Sequence, residues 1–244
     1  AAAEFTVTAS KASVTLAGDG CVHSEEKYRP RYAVFVDGEL IEDKVLDTEE
    51  KEIELFSGST KRTATVKVIH LSEANNGAIG VKSINAGTGS SVKPTPDKKY
   101  LVEFIGDSIT CGYGIDDEDE NHNFSTSTED TTKAYAYRTA KALDVDYSMV
   151  SYSGYGIISG YTGDGVRNAN ELVPPYYEKL AFTYGSFGDE KPQELSWDFT
   201  ARQPDLIVIN LGTNDDSFCL EDEERRAEYC EKYIEFLKVV RKNN

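Results

Sequence analysis

The hydrophobic pattern of this chain changes its period once, near residue 90, and that change limits the folds open to it. From Phe5 to Gly89 the pattern is short and alternating. Phe5-Thr-Val-Thr, Ala33-Val-Phe-Val, Ile53-Glu-Leu-Phe and Thr63-Ala-Thr-Val-Lys-Val-Ile-His are β-branched or aromatic runs of strand length. Apolar residues at every second position are what a half-buried strand requires. Asp37-Gly38, Ser57-Gly58 and Asn75-Asn76-Gly77 read as the turns between them. Several such strands without a helical period predict an all-β jelly roll or β-sandwich.

A polar connector follows, Gly87-Thr-Gly-Ser-Ser and then Lys93-Pro-Thr-Pro-Asp-Lys-Lys, with the composition of a linker. It divides the chain into an expected jelly-roll domain, 1–92, and a second domain, 93–244. Beyond it Leu101-Val-Glu-Phe-Ile, Tyr147-Ser-Met-Val-Ser-Tyr and Leu206-Ile-Val-Ile-Asn are strand candidates separated by long intervals. Residues 132–143 have helical composition, with Asp130 or Thr131 as the expected cap. From Glu221 onward Ala227, Cys230, Ile234, Leu237 and Val240 recur at steps of three and four. Acids crowd the start of that helix and Lys238, Arg241 and Lys242 its end, as the helix dipole favours. Strands alternating with helices predict a parallel sheet covered on both faces.

Composition narrows the partners. Of 244 residues 39% are hydrophobic, with 15 Tyr and 10 Phe, enough for a sizeable core and against a disordered chain. Lys and Arg number 26 against 43 Asp and Glu, a net charge of −17. Such a surface repels phosphate backbones and anionic lipid, so neither nucleic acid nor membrane is an expected partner. A neutral, hydroxyl-rich polysaccharide is compatible with it. No apolar run approaches the roughly 18 residues of a membrane helix. The chain opens on Ala1-Ala2-Ala3-Glu4, without Met or a basic segment, so any signal peptide is expected to have been removed. The four cysteines form no C-x-x-C pair. A helix between Cys219 and Cys230 would hold them about 16 Å apart, so they read mostly as free thiols.

The chemistry concentrates in Phe104-Ile-Gly-Asp-Ser-Ile-Thr-Cys-Gly-Tyr-Gly. A buried strand running into Gly106-Asp107-Ser108 puts Ser108 just beyond the strand's carboxyl end, where α/β folds bind ligands. A serine at such a turn has an exposed hydroxyl and an outward N–H, both wanted for attack on an acyl carbon. The plain alternative is a serine that caps the next helix. No Gly-Lys-Ser/Thr follows, which excludes a P-loop, and the G-x-S-x-G elbow is absent. The second strand ends in Ser151-Tyr-Ser-Gly154-Tyr-Gly156, a glycine turn able to aim an N–H into the same crevice. The third ends in Asn210-Leu-Gly-Thr-Asn214-Asp215, which brings a side-chain amide. One nucleophile and up to three donors are the parts needed to hold a tetrahedral oxyanion.

With these three blocks the chain resembles the SGNH (GDSL) hydrolases. A leading jelly roll, Glu103-Phe-Ile-Gly-Asp-Ser-Ile-Thr-Cys-Gly-Tyr-Gly, Tyr152-Ser-Gly-Tyr-Gly, Pro174-Pro-Tyr-Tyr-Glu, and Trp197-Asp-Phe before Gln203-Pro-Asp-Leu-Ile-Val-Ile-Asn-Leu-Gly-Thr-Asn-Asp narrow this further. They resemble the two-domain acetyl esterases of carbohydrate esterase family 2 over nearly the whole chain. The resemblance implies a flavodoxin-like three-layer α/β second domain. It implies Ser108 as nucleophile and first oxyanion donor, Gly154 as the second donor with Gly156 as its alternative, and Asn214 as the third. It further implies a secreted enzyme that removes O-acetyl groups from hemicellulose such as xylan or glucomannan, without metal or organic cofactor. The rival readings are a carbohydrate-binding SGNH protein that has lost catalysis and an SGNH lipase or thioesterase.

One departure stands out. The family's general base is a His in an Asp-x-x-His block near the C-terminus, and no such block precedes Asn244. The 244 residues are therefore expected to be a portion of a longer protein, with the C-terminal part of the catalytic domain missing; the alternative is a base that has moved. His70 sits in an alternating strand and His23 in a charged loop. His122, nearest to Ser108 in sequence, lies in Asp116-Asp-Glu-Asp-Glu-Asn-His-Asn, a solvated run that mimics part of a calcium loop. It lacks Gly at the sixth position and Glu at the twelfth, so no metal is expected. Tyr152, Tyr155, Tyr161, Tyr176, Tyr177 and Trp197 fall between the second and third blocks. There they either pack a core or offer ring faces to a sugar.

Overall fold

The computed structural model describes residues 2–244. The chain divides into two compact units, neither continuous in sequence. Ala1–Asp97, Gly114–Asp130 and Thr183–Lys191 form the first; Lys98–Tyr113, Thr131–Phe182 and Pro192–Asn244 form the second. The expected boundaries at 1–92 and 93–244 contain no such excursions, because polar loops carry no hydrophobic period to mark the unit they join.

The first unit is all β. It contains β1 (Ala2–Gly18), β2 (Arg31–Val36), β3 (Glu39–Val45), β4 (Glu50–His70), β5 (Ile79–Asn85) and β6 (Ser91–Pro94). The strands run in the order β3-β2-β4-β1-β5, with β6 also on β1. The long strands β1 and β4 pair antiparallel along their whole length and change neighbours midway. The start of β1 pairs with β6 and its end with β5. Ser57-Gly58, expected as a turn, lies inside β4 instead, opposite a register shift between Ala9 and Lys11. Across this irregular stretch the inward set of β1 moves from Phe5, Val7 and Ala9 to Ala12, Val14 and Leu16. All six join Ile53, Leu55, Ala64, Val66 and Val68 in one core, so the two halves of the sheet cover each other. Asp37-Gly38 does form the β2–β3 turn, both residues at positive φ as that tight hairpin demands.

A half-buried Arg31 and a buried Asp19 tie the excursions to this unit. Arg31 forks onto Asp43 through Nε at 2.9 Å and Nη2 at 2.8 Å. Its Nη1 reaches Asp116 and the Glu129 carbonyl, both at 3.1 Å, which holds the segment Gly114–Asp130. Asp19 accepts from the Cys21 and Ala78 N–H groups and from the Thr183 hydroxyl, which holds Thr183–Lys191.

The second unit carries three parallel strands, β7 (Leu101–Gly106), β8 (Asp146–Ser151) and β9 (Leu206–Asn210), in the order β8-β7-β9. The helices are α1 (Ser108–Cys111), α2 (Tyr135–Leu143), α3 (Pro174–Tyr177), α4 (Thr213–Cys219) and α5 (Glu223–Asn243). Central β7 is buried at every residue. Val102 and Phe104 pack on Ala136 and Ala140 of α2 and on Val145. The one charge in that strand, Glu103, is satisfied by the Ser148 hydroxyl at 3.1 Å and the Tyr177 phenol at 2.9 Å. Burial still pushes its carboxyl above the usual range.

Two helix expectations need correction. A separate 3-10 turn covers Thr131–Lys133, so α2 begins only at Tyr135, with Ala134 rather than Asp130 or Thr131 before it. On α5 the buried residues are Phe236 and Val240, while Ile234 and Leu237 are exposed. Helical spacing identifies an apolar stripe, but the packing partner decides which part of it is covered. Asp222 caps α5, accepting from the Glu224 and Arg225 N–H groups.

Candidate active site

The order β8-β7-β9 means that the chain steps to one side of β7 and then to the other. Such a reversal opens a crevice at the carboxyl ends of the strands, because the connections leave in opposite directions. Gly106, Ser151 and Asn210 are the paired last residues of the three strands. Each of the three blocks begins within a residue or two of this edge.

From β7 the chain turns through Asp107, which caps α1 by accepting from the Ile109 N–H at 3.1 Å. Gly106 is required here: a Cβ would lie 2.7 Å from Cβ of Thr110 and 3.2 Å from the Asn210 carbonyl. Ser108 is the first residue of α1 and half-buried. Its carbonyl accepts from Gly112 and Tyr113, while its N–H has no hydrogen-bond partner among the described residues. The cap is thus Asp107, which leaves the Ser108 hydroxyl outside that role.

After β8 the chain bends at Gly154, φ +81°. The Gly154 carbonyl accepts from the Tyr161 N–H at 2.7 Å, and its own N–H is unpaired among the described residues. Gly156 differs, since its N–H donates to the Glu171 carbonyl at 3.1 Å. After β9, α4 presents Asn214 and Asp215, both buried. The Asn214 side-chain amide donates to the Tyr155 carbonyl at 2.8 Å, which ties the third block to the second.

Asp215 was not singled out by the sequence, where an acid in the first turn of a helix is unremarkable. Its carboxylate accepts from three successive backbone groups, Ile157 at 3.0 Å, Ile158 at 2.7 Å and Ser159 at 3.1 Å. Burial raises its carboxyl above the usual range, and those three donors offset only part of that rise. Burial likewise raises Asp107, against the pull of the Ile109 N–H.

All three histidines belong to the first unit. His23 pairs with Glu49 at 3.0 Å on an exposed surface. His70 is buried in β4 with Nε2 3.3 Å from the Ser72 hydroxyl. His122 is exposed and bound through Nδ1 to Asp117 at 2.7 Å, within a segment of the first unit. Of the aromatics, Tyr152, Tyr155 and Tyr177 are buried. Tyr176 stacks on Phe182 with centroids 4.4 Å apart, and Tyr161 and Trp197 are exposed. All four cysteines are free thiols, of which only Cys230 is exposed.

A β-rich N-terminal domain and a parallel α/β domain with a serine turn at its switch point define a two-domain SGNH-type protein. The GDSL-like lipase/acylhydrolase family model matches residues 104–244, and the N-terminal model of carbohydrate esterase 2 matches residues 1–96. The chain belongs to the GDSL-like lipase/acylhydrolase family, in its carbohydrate esterase family 2 branch. It is 34% identical over 202 residues to an acetylxylan esterase / glucomannan deacetylase of Cellvibrio japonicus (strain Ueda107), covering 82% of this chain and 52% of that protein. The chain thus spans about half the length of that relative. Among solved structures it is similar to an acetyl xylan esterase from the rumen bacterium Butyrivibrio proteoclasticus. The TM-score there is 0.82 at 26% identity, over 99% of this chain and 69% of that one. A family two carbohydrate esterase from Cellvibrio japonicus gives a TM-score of 0.79 at 26% identity, over 99% and 66%.

Proposed function

We propose that the protein is a serine esterase that removes O-acetyl groups from plant cell-wall polysaccharides outside the cell. The observation that carries the reading is a set of donors left over at one sheet edge. The Ser108 N–H, the Gly154 N–H and the second amide hydrogen of Asn214 are unmatched among the described residues, although buried or half-buried donors are normally paired. Donors held in advance for a charge that forms only in the transition state are what acyl transfer needs.

Ser108 Oγ attacks the acetyl carbonyl, and its proton passes to a general base. The carbonyl oxygen becomes an oxyanion held by Ser108 N–H, Gly154 N–H and Asn214. Collapse expels the sugar oxygen, which takes the proton from the base. Water then attacks the acetyl-enzyme and gives a proton to the base; collapse breaks the bond to Ser108 Oγ, which takes that proton back, and acetic acid leaves. Gly154 is favoured over Gly156 as the second donor because the Gly156 N–H is engaged by Glu171. The base is proposed to be a histidine other than the three present, each of which has a separate partner in the first unit.

The substrate class is supported by the carbohydrate esterase relatives and by the net charge of −17, which a neutral glycan tolerates better than an anionic lipid surface does. The test is hydrolysis of p-nitrophenyl acetate against the octanoate ester, and acetate release from acetylated xylan, by the full-length protein and its Ser108→Ala variant. Turnover that favours acetate and disappears with Ser108 is expected. Octanoate preference would turn the reading to a lipase, and turnover that survives Ser108→Ala would overturn it.

A further inference from the structure

The carboxylate of Asp215 sits at the centre of an unusual arrangement. Three consecutive backbone N–H groups, those of Ile157, Ile158 and Ser159, converge on it, and Ile157 reaches both oxygens at 3.0 Å. Successive amides aimed at one point form a concave anion nest, normally occupied by an external anion. Here a side chain from α4 fills the nest, and Asp215 itself is 1% exposed.

The geometry around it is tight. A Cβ on Gly156 would lie 2.0 Å from the Ser159 carbonyl and 2.7 Å from Oδ2 of Asp215, so the turn closes this far only with glycine there. Asn214, one residue before Asp215 on α4, donates to the Tyr155 carbonyl. Two adjacent side chains of one helix therefore grip residues 155–159 from successive positions. The grip begins immediately after Gly154, whose carbonyl closes the far side of the loop on Tyr161.

We infer that Asp215 is a positioning residue for ester hydrolysis, its carboxylate clamping residues 157–159 so that the Gly154 N–H is fixed relative to Asn214 and Ser108. The inference rests on the proposed Ser108 chemistry and deepens it. An oxyanion donor acts only when already aimed, and a displacement on the order of 1 Å at a reacting centre can cost about 10²-fold in rate. An ionised Asp215 fits this role, because a protonated acid offers less to three donors than a carboxylate does.

The experiment compares wild type, Asp215→Asn, Asp215→Ala and Ser108→Ala in the full-length protein on p-nitrophenyl acetate. Amide exchange over residues 154–161 is followed by mass spectrometry. Asp215→Asn keeps one acceptor oxygen and most of the volume but loses the charge. Its kcat is expected to fall by about 10- to 100-fold with KM within about threefold of wild type, and the amides of residues 157–159 to exchange faster. A purely structural role would lower the yield of folded protein without this kcat-specific loss. Folded Asp215→Asn with wild-type kcat, while Ser108→Ala is dead, overturns the inference and leaves the esterase reading intact. Full activity in Ser108→Ala overturns the reading itself. If neither Asp215 variant folds, exchange in the wild type decides: protected 157–159 amides support the clamp, and exchange as fast as in an exposed loop refutes it.

Discussion

Asn214 gives one hydrogen of its side-chain amide to the carbonyl of Tyr155 at 2.8 Å and keeps the other. The bond fixes the amide plane, so the remaining N–H has a set direction before any substrate arrives. Preorganisation of this kind distinguishes a catalytic donor from a flexible asparagine. Asn214→Ala removes the donor and its bond to the Tyr155 carbonyl. The expected result is a kcat for p-nitrophenyl acetate lower by about 10²- to 10³-fold, with melting temperature lowered by only a few degrees. A loss smaller than tenfold would remove Asn214 from the oxyanion site.

The two glycines of the second block should respond differently to alanine. At Gly156 the new methyl meets the Ser159 backbone carbonyl at 2.0 Å, which no side-chain rotation relieves. At Gly154 the nearest atom is a Glu171 carboxylate oxygen at 3.6 Å, ordinary contact, and the cost is that of a non-glycine residue at φ +81°, about 1–2 kcal/mol. Gly154→Ala also retains the N–H. It should fold and keep kcat within about tenfold of wild type, whereas Gly156→Ala should lose about 100-fold or more. Thermal melts with initial rates on both variants test the ranking, and equal losses would contradict it.

Ser108 and Asn214 could be read from the sequence because each follows a short apolar strand at its carboxyl end, where alternation stops and small residues begin. Asp215 could not. Nothing local distinguishes an acid that accepts three distant N–H groups from one that faces water. The same limit explains Ser57-Gly58, whose residues favour a turn but lie at a register shift within a 21-residue strand paired with β1. It explains α5 as well, where Ile234 and Phe236 are equally apolar and only packing separates them. The excursions Gly114–Asp130 and Thr183–Lys191 were illegible for a further reason. Arg31 and Asp19, which hold them, lie far away in the chain, and nothing local to either names its partner.

His70 makes stability depend on pH in a predictable direction. Burial lowers its imidazole from the usual 6.5 to about 3, so the native state keeps it neutral. The unfolded chain binds that proton near pH 6.5 and the native state only near 3. Between these values stability falls as pH falls, by about 1.4 kcal/mol per unit from this group. His70→Gln lacks the titration. Urea unfolding at pH 7.0 and 4.5 should show the variant losing on the order of 2–3 kcal/mol less than wild type over that interval. Equal losses would mean that His70 is protonated in the native state.

Arg31 supplies a test of how the first unit holds its excursion. The guanidinium side chain is 11% exposed, meets Asp43 on two nitrogens, and uses the third on Asp116 and the Glu129 carbonyl. Lysine cannot reproduce that fork, since a single ammonium has no planar array of donors. Arg31→Lys would leave one carboxylate or the Glu129 carbonyl unmatched in a half-buried setting, at a cost of about 1–3 kcal/mol. The loosening should concentrate in Gly114–Asp130, because the core of β1 and β4 does not include Arg31. That segment holds Glu118, Glu120 and Glu129 but no Lys or Arg. A glutamate-specific protease should therefore cut it several times faster in Arg31→Lys at temperatures well below the melt. If cleavage there is unchanged while the whole domain melts lower, Arg31 stabilises the sheet as a body and the segment is held by other contacts.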